Sequence, residues 1–399
     1  MRAPLPIGPR LLLLAAMSVV ACAGGVDDDA GVSDLVRVTD DPSDQPWPGL
    51  DDDALARFAL GDALFEQLFR TTQGIGPLFI RGSCAACHAD DAKGPGFVDT
   101  FVGDAPYGHT VRPYTTTDAA LPVLAPEGAT TSRRIGPAVY GRGAMEAVDA
   151  SALFALAEAQ ANAPGPVKGV VARVTWRSQE NDDPRFPTYA EGTPDLVGRF
   201  GLKARVATLD DFAADALQGD MGLTSPMRPV ELPNPAGITD DDLPGVDVSS
   251  EDVNLLADYV RLLRIPPRID VDEGGLALLD STGCTACHVR ALPTREDYPF
   301  AVLRAVDVEI FSDLLLHDMG EALADGLVDE QAGPRQWRTA PLIGLRYFRN
   351  YLHDGRAATL DDAVRAHDAP DSEARDAAAA YAALTDDDRA LLLDTLARL

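Results

Sequence analysis

"SCAACHAD", residues 83–90, and "GCTACHVR", residues 283–290, decide the reading of this 399-residue chain. Four of its five cysteines fall in these stretches, as Cys84, Cys87, His88 and Cys284, Cys287, His288, and no pair is left for a structural disulfide. A CxxC pair alone would suit a redox dithiol or half of a zinc site, but a histidine directly after the second cysteine is the signature of covalent c-type haem attachment. Two intervening residues let both sulfurs reach the haem vinyl groups while the next imidazole turns under the iron as its proximal ligand. One zinc held by four thiolates would leave both histidines unexplained. A thioredoxin-like site would need a strand and helix alternation that is missing here. Two covalently bound haem c groups are therefore expected, with His88 and His288 on the irons.

The fifth cysteine, Cys22, follows an export signal: Arg2 and Arg10, an apolar run from Leu11 to Ala21, and then the cysteine. Val19, Val20 and Ala21 resemble the bacterial lipoprotein cleavage box, which makes residues 1–21 a lipoprotein-type signal peptide and Cys22 the lipidated residue. An ordinary signal peptide leaving Cys22 free is the alternative. Either way the expected location is outside the cytoplasm, as a periplasmic or outer-membrane lipoprotein, and the lipid is the sole expected tie to a membrane. Residues 22–50, acidic and aperiodic, read as a tether. Loss of the leader, which carries two arginines and no acid, takes the formal charge from -29 to -31. So acidic a chain excludes nucleic acid as a partner and favours a small basic protein. Its basic residues are almost all arginine, the only lysines being Lys93, Lys168 and Lys203. Arginine suits bidentate pairing with carboxylates.

Around each CxxCH the chain repeats a helical frame. "DDALARFALGDALFEQLF" (52–69) places Leu55, Phe58, Phe65 and Phe69 near one face, with Gly61 open to a close helix contact. "DEGGLALLDSTGC" (272–284) offers Gly275 and Leu279 in the same relation as Gly61 and Phe65. The closing segments 249–263 and 385–399 align, Leu255 with Leu391 and Asp258 with Asp394, and each starts with a hydroxyl and an acid three residues on. A haem-bearing turn between an entry helix and a terminal helix resembles the cytochrome c fold, in which Gly61 would meet Tyr259. The expectation is a mainly α chain of two cytochrome c-like haem domains, 51–266 and 267–399, the first enlarged by an insertion at 111–248. That insertion holds helices around 150–162 and 208–218, and "RIPPRIDVD" (264–272) is the linker.

"QGIGPLFIRGSCAACH", "GRFGLKA", "DMGLTS", "FSDLLLHDMGEALAD", "QWRTAPLIGLR", "YLHDGRAATLDDAVRAH" and "LTDDDRALLLDTLARL" together resemble the bacterial di-haem oxidoreductases of the peroxidase type, from about residue 50 to the C-terminus. These are relatives of the di-haem cytochrome c peroxidases and of the di-haem enzymes of methylamine utilisation. The resemblance implies two haems with different roles, and a calcium ion between the domains as in some relatives. The chain has ample acids for calcium but no recognisable loop.

Four histidines remain for sixth positions: His109, His317, His353 and His367. His367 follows Leu360, Ala363 and Val364 on an apolar helix face that starts at Thr359 and Asp362. The resemblance makes it a distal ligand of the second haem, with a core or capping histidine as the alternative. Met319 and His317 are its rivals. His109, in the loop "APYGHTVRPY", is the corresponding candidate for the first haem, with Tyr107 beside it and a surface role as the alternative. Glu146, in "GRGAMEAVD", is the candidate acid/base residue. Trp337 is expected to pack on a haem or pass electrons. Arg338 and Arg356 are candidates for haem propionates. The function expected is peroxide reduction with electrons from a small redox partner, one haem reacting and one relaying. A non-enzymatic di-haem electron-transfer cytochrome is the rival reading. The 138 residues of the insertion weigh against a pure carrier.

Overall fold

The computed structural model describes residues 45–94, 96–102, 106–238 and 243–399, which lie in one compact unit. The expected signal peptide, Cys22 and most of the tether fall outside the described residues. Helix α1 (Asp52–Glu66) begins where Asp51 accepts a hydrogen bond from the Ala54 N–H at 2.8 Å. There follow α2 (Arg142–Ala147), α3 (Ala150–Asn162), α4 (Leu209–Met221), α5 (Ser250–Leu262), α6 (Glu273–Ser281), α7 (Leu360–Arg365), α8 (Arg375–Ala382) and α9 (Asp386–Arg398). Full capping boxes start α5, from Ser249 and Asp252, and α7, from Thr359 and Asp362.

Two helix pairs carry the repeat. α1 lies against α5 because Gly61 has no side chain: a Cβ there would sit 2.2 Å from the Leu255 carbonyl oxygen and 2.7 Å from Tyr259 Cβ. α6 lies against α9 in the same way, a Cβ on Gly275 falling 1.8 Å from Thr395 Oγ1. Tyr259 and Thr395 occupy equivalent places in the aligned closing segments, so the same contact is used twice with different partners.

The chain is not mainly α. Helix accounts for 33% and strand for 13%, and the two helix pairs do not by themselves make cytochrome c-like domains. Among the described residues, five two-stranded antiparallel ribbons stand between the helices, including Phe97–Phe101 with Thr131–Ile135 and Leu316–Asp318 with Gln336–Arg338. Long stretches between them are irregular, and side chains satisfy their backbone groups. Lys203, fully buried, donates to the Leu327 and Gly333 carbonyls at 2.8 and 2.9 Å and to Asp325 at 2.7 Å. Helical periodicity shows in the frames around each CxxCH, but the proline- and glycine-rich remainder takes its shape from such distant partners.

The core is divided accordingly. One cluster joins α1, α4 and α5 through Phe58, Phe65, Leu217 and Tyr259. A second lies around α2, with Met145, Leu153, Phe186 and Tyr298. A third joins α6 and α9 through Leu279, Leu392 and Leu396.

Candidate haem cavities

Both CxxCH stretches fold into the same turn. The His88 N–H donates to the Cys84 carbonyl at 3.0 Å, and the His288 N–H to the Cys284 carbonyl at 2.9 Å. Each turn presents its two sulfurs and its imidazole to one cavity. In each, the ring Nδ1 is tied to a backbone carbonyl, His88 to Pro137 at 2.8 Å and His288 to Phe311 at 3.1 Å. A tethered Nδ1–H fixes the tautomer that leaves Nε2 free to ligate. Burial pushes both imidazoles down to about 4 and so keeps them in the neutral, ligating form. The cysteines among the described residues are free thiols, and burial pushes Cys84 up to about 12 and Cys87 up to about 11.

The first cavity spans about 870 Å³, counting space open to solvent. Phe65 of α1, Phe212, Leu217 and Asp220 of α4, and Leu256 and Val260 of α5 wall it in around Cys84, Cys87 and His88. The second is larger, about 2030 Å³ on the same count with space open to solvent, and runs between α6, α7, α8, α9 and the segment 337–353. The walls are mostly apolar, as a porphyrin face requires.

Each cavity also has a guanidinium without a carboxylate. Arg142 in the first donates to the Ala138 carbonyl and to Met145 Sδ. Arg338 in the second donates to the Gly201 and Thr339 carbonyls, both at 3.2 Å. Burial pushes Arg142 down to about 10 and Arg338 down to about 9, with the charge of Arg142 adding to the second shift. A chain with 63 acids has left a buried guanidinium in each of these walls for an anion from outside. The residues present therefore fit a haem in each cavity: paired thiols, a neutral imidazole, apolar walls and a cation for propionate. The two cavities are neighbours, since Phe200 lines the first and Leu202 the second. Tyr140, wholly buried beside the first, stacks on Phe348 of the second with ring centres 6.4 Å apart.

His367, Met319, His317, Trp337 and Arg338 all line the second cavity. His367 stands just past the end of α7 with Nδ1 bound to the Ala363 carbonyl at 2.8 Å, so its Nε2 is free. Both nitrogens of His317 are engaged, Nε2 with Asp313 at 3.0 Å and Nδ1 with Glu373 at 2.6 Å. Burial opposes its charge, yet Asp313, Cys287 and Glu373 prevail and push the imidazole up to about 12. His353 lies flat on Trp337, ring centres 3.8 Å apart. Other predicted residues stand elsewhere. His109 is exposed, its Nδ1 on the Phe101 carbonyl, and neither it nor Tyr107 lines the first cavity. Arg356 is exposed and bound to Asp354 and to the Ala322 carbonyl at 2.9 Å. Glu146 is buried away from both cavities, where Arg261 donates to both its oxygens and Tyr298 to one. Burial opposes its charge, but Arg261 wins and holds the carboxyl below its usual range. Sequence reasoning missed Arg142, Asp220 and Lys93. The lysine, six residues past the first motif's Cys87, lines the second cavity. Gly141 and Gly143 flanking Arg142 were a signal of a tight site, since a Cβ on Gly143 would meet the Arg261 carbonyl at 2.0 Å.

A pair of CxxCH turns facing two adjacent apolar cavities is an arrangement that suits a di-haem redox protein. Residues 115–399 match the family described as "Di-haem oxidoreductase, putative peroxidase", and the chain belongs to it. Family membership implies two haem cofactors. The match takes in the second CxxCH and begins past the first. A solved structure, of the hydrazine synthase of Kuenenia stuttgartiensis under xenon pressure, aligns over 97% of this chain and 100% of its own. Its identity is 14% and its TM-score 0.40, too low to carry any argument. No curated protein matches the chain.

Proposed function

We propose that this chain is an exported c-type peroxidase of two haem modules, 51–266 and 267–399, reducing hydrogen peroxide with electrons from a small basic redox protein. The observation that carries the reading is the asymmetry of the cavities. In the second, His367 and His288 each hold Nδ1 on a backbone carbonyl and line one space, so the two imidazoles together would hold a haem iron. In the first, His88 is the sole imidazole in the wall among the described residues. A haem held there by His88 would have no second imidazole among the described wall residues, which would leave a place for peroxide; Met221, the thioether in that wall, is packed into the core of α1, α4 and α5.

Haem at these two places supplies a reactive iron and an electron store. The chain does the rest. His88 and His288 hold the metals, Arg142 and Arg338 pair with propionates, and the apolar walls exclude bulk water from the reacting oxygens. The balance is H₂O₂ + 2 H⁺ + 2 e⁻ → 2 H₂O, with both electrons from the partner. A mature charge of -31 favours a basic donor and makes its association fall with ionic strength. The test is low-temperature EPR of the mature protein, oxidised and then reduced by one electron. A high-spin haem consumed by added peroxide supports the peroxidase. Two low-spin haems that ignore peroxide in both states refute it in favour of an electron carrier.

A further inference from the structure

We infer that Asp220, and not Glu146, is the residue that moves the proton during peroxide cleavage in the first cavity. This rests on the proposed peroxidase reading. Asp220 is the sole carboxylate in the wall of that cavity among the described residues, set at the end of α4 beside Cys84 and Cys87. Its backbone carbonyl accepts from the Ile80 N–H at 2.6 Å, which fixes the residue against the strand leading into the first motif. No hydrogen bond reaches its carboxylate among the described residues, so both oxygens are available to a guest. Glu146 has four such bonds and no access to either cavity.

The charged groups around Asp220 come from three directions. Asp215 stands on α4 itself, Arg205 on the preceding loop, and Arg81 with the two thiols on the segment 81–87. Glu66, at the end of α1, also faces Cys84. Burial, with Asp215 second, outweighs the two arginines and pushes the carboxyl up to about 6. A proton acceptor of that strength is suited to work near neutral pH. In the step itself Asp220 takes the proton from one peroxide oxygen and returns it to the other. The O–O bond breaks with its electron pair on the protonated oxygen, which leaves as water. The remaining oxygen takes two protons and two donor electrons and leaves as the second water.

The test uses cyanide on the oxidised holoprotein, because hydrogen cyanide must also give up its proton to bind ferric haem. The wild-type binding rate should rise with pH through about 6. D220N should bind about 100-fold more slowly with no inflection, and D220E should recover part of the rate. Unchanged haem content and melting temperature in D220N would show that the fold is intact. An inflection retained in D220N, or no inflection in the wild type, overturns the assignment. A protein that binds no cyanide at any pH overturns both this assignment and the peroxidase reading. Cyanide binding that depends on Asp220 without peroxide turnover overturns the peroxidase reading alone.

Discussion

Replacing Gly61 by alanine should be far more damaging than the same change at Gly275, although the two occupy equivalent places in the repeat. At Gly61 the new methyl meets the Leu255 carbonyl oxygen at 2.2 Å, and Tyr259 Cβ at 2.7 Å. Neither atom can turn away, so α1 and α5 must part by about 1 Å to reach ordinary contact. That separation also loosens Phe58 and Phe65 from Tyr259, whose ring centres now lie 5.0 and 5.2 Å away. Overpacking costs about 1–3 kcal/mol, and each loosened aromatic pair about 0.5–1.5 kcal/mol. Alanine's better helix propensity returns about 1 kcal/mol, leaving a net loss of about 3 kcal/mol. At Gly275 the closest atom is Thr395 Oγ1, a side-chain hydroxyl with no hydrogen-bond partner among the described residues, which can rotate out at no polar cost; Thr395 Cβ at 2.7 Å then remains as the fixed clash, with no backbone atom as close as the Leu255 carbonyl is to Gly61. The net loss there should be about 1 kcal/mol after the same propensity gain. Thermal unfolding of the two holoproteins should show G61A melting about 2–3 °C below G275A, since an unfolding entropy of about 2.1 cal/mol/K per residue over the unit Asp40–Leu399 gives about 1.3 °C per kcal/mol. Equal melting points, or a lower one for G275A, would refute the reasoning.

Arg261 is wholly buried with Glu146, Asp210 and Asp258 around it. R261M should destabilise the protein by about 3–5 kcal/mol at pH 7. Asp258 keeps Arg57 and Arg185, but Glu146 and Asp210 lose their cation and would have folded-state values raised above their unfolded ones, so their contribution is intact at low pH and lost as pH rises. Melting curves of R261M should therefore improve relative to wild type from pH 7 to pH 5, and a constant gap would count against the network. His367→Ala should convert the second haem from low to high spin in EPR while the spectrum of the first is unchanged; a second haem that remains low-spin removes His367 as its ligand.

The two haem turns and the helix starts at Ser249, Thr359 and Thr385 were legible in the chain, because short-range geometry specifies them. Gly61 against Tyr259 was also readable, since a repeat constrains which small residue faces which large one. The fold class was not. The period of the frames next to the motifs was extended to a remainder whose shape comes from buried lysine and arginine tied to distant carbonyls and carboxylates. For the same reason Glu146 looked available: its neighbours in sequence say nothing of Arg261, 115 residues away.

What the sequence by itself determined lies within a few residues: two CxxCH turns, the helix caps and the excess of acids. Only the tertiary structure decided which groups meet across the chain. It brought His367 to His288 and left His109 outside, walled Asp220 into the first cavity, and closed His317 between Asp313 and Glu373. The physical reason is that a covalent motif is complete within one turn of backbone. The environment of a side chain, and with it the charge the side chain carries, is set by burial and by partners that only folding supplies.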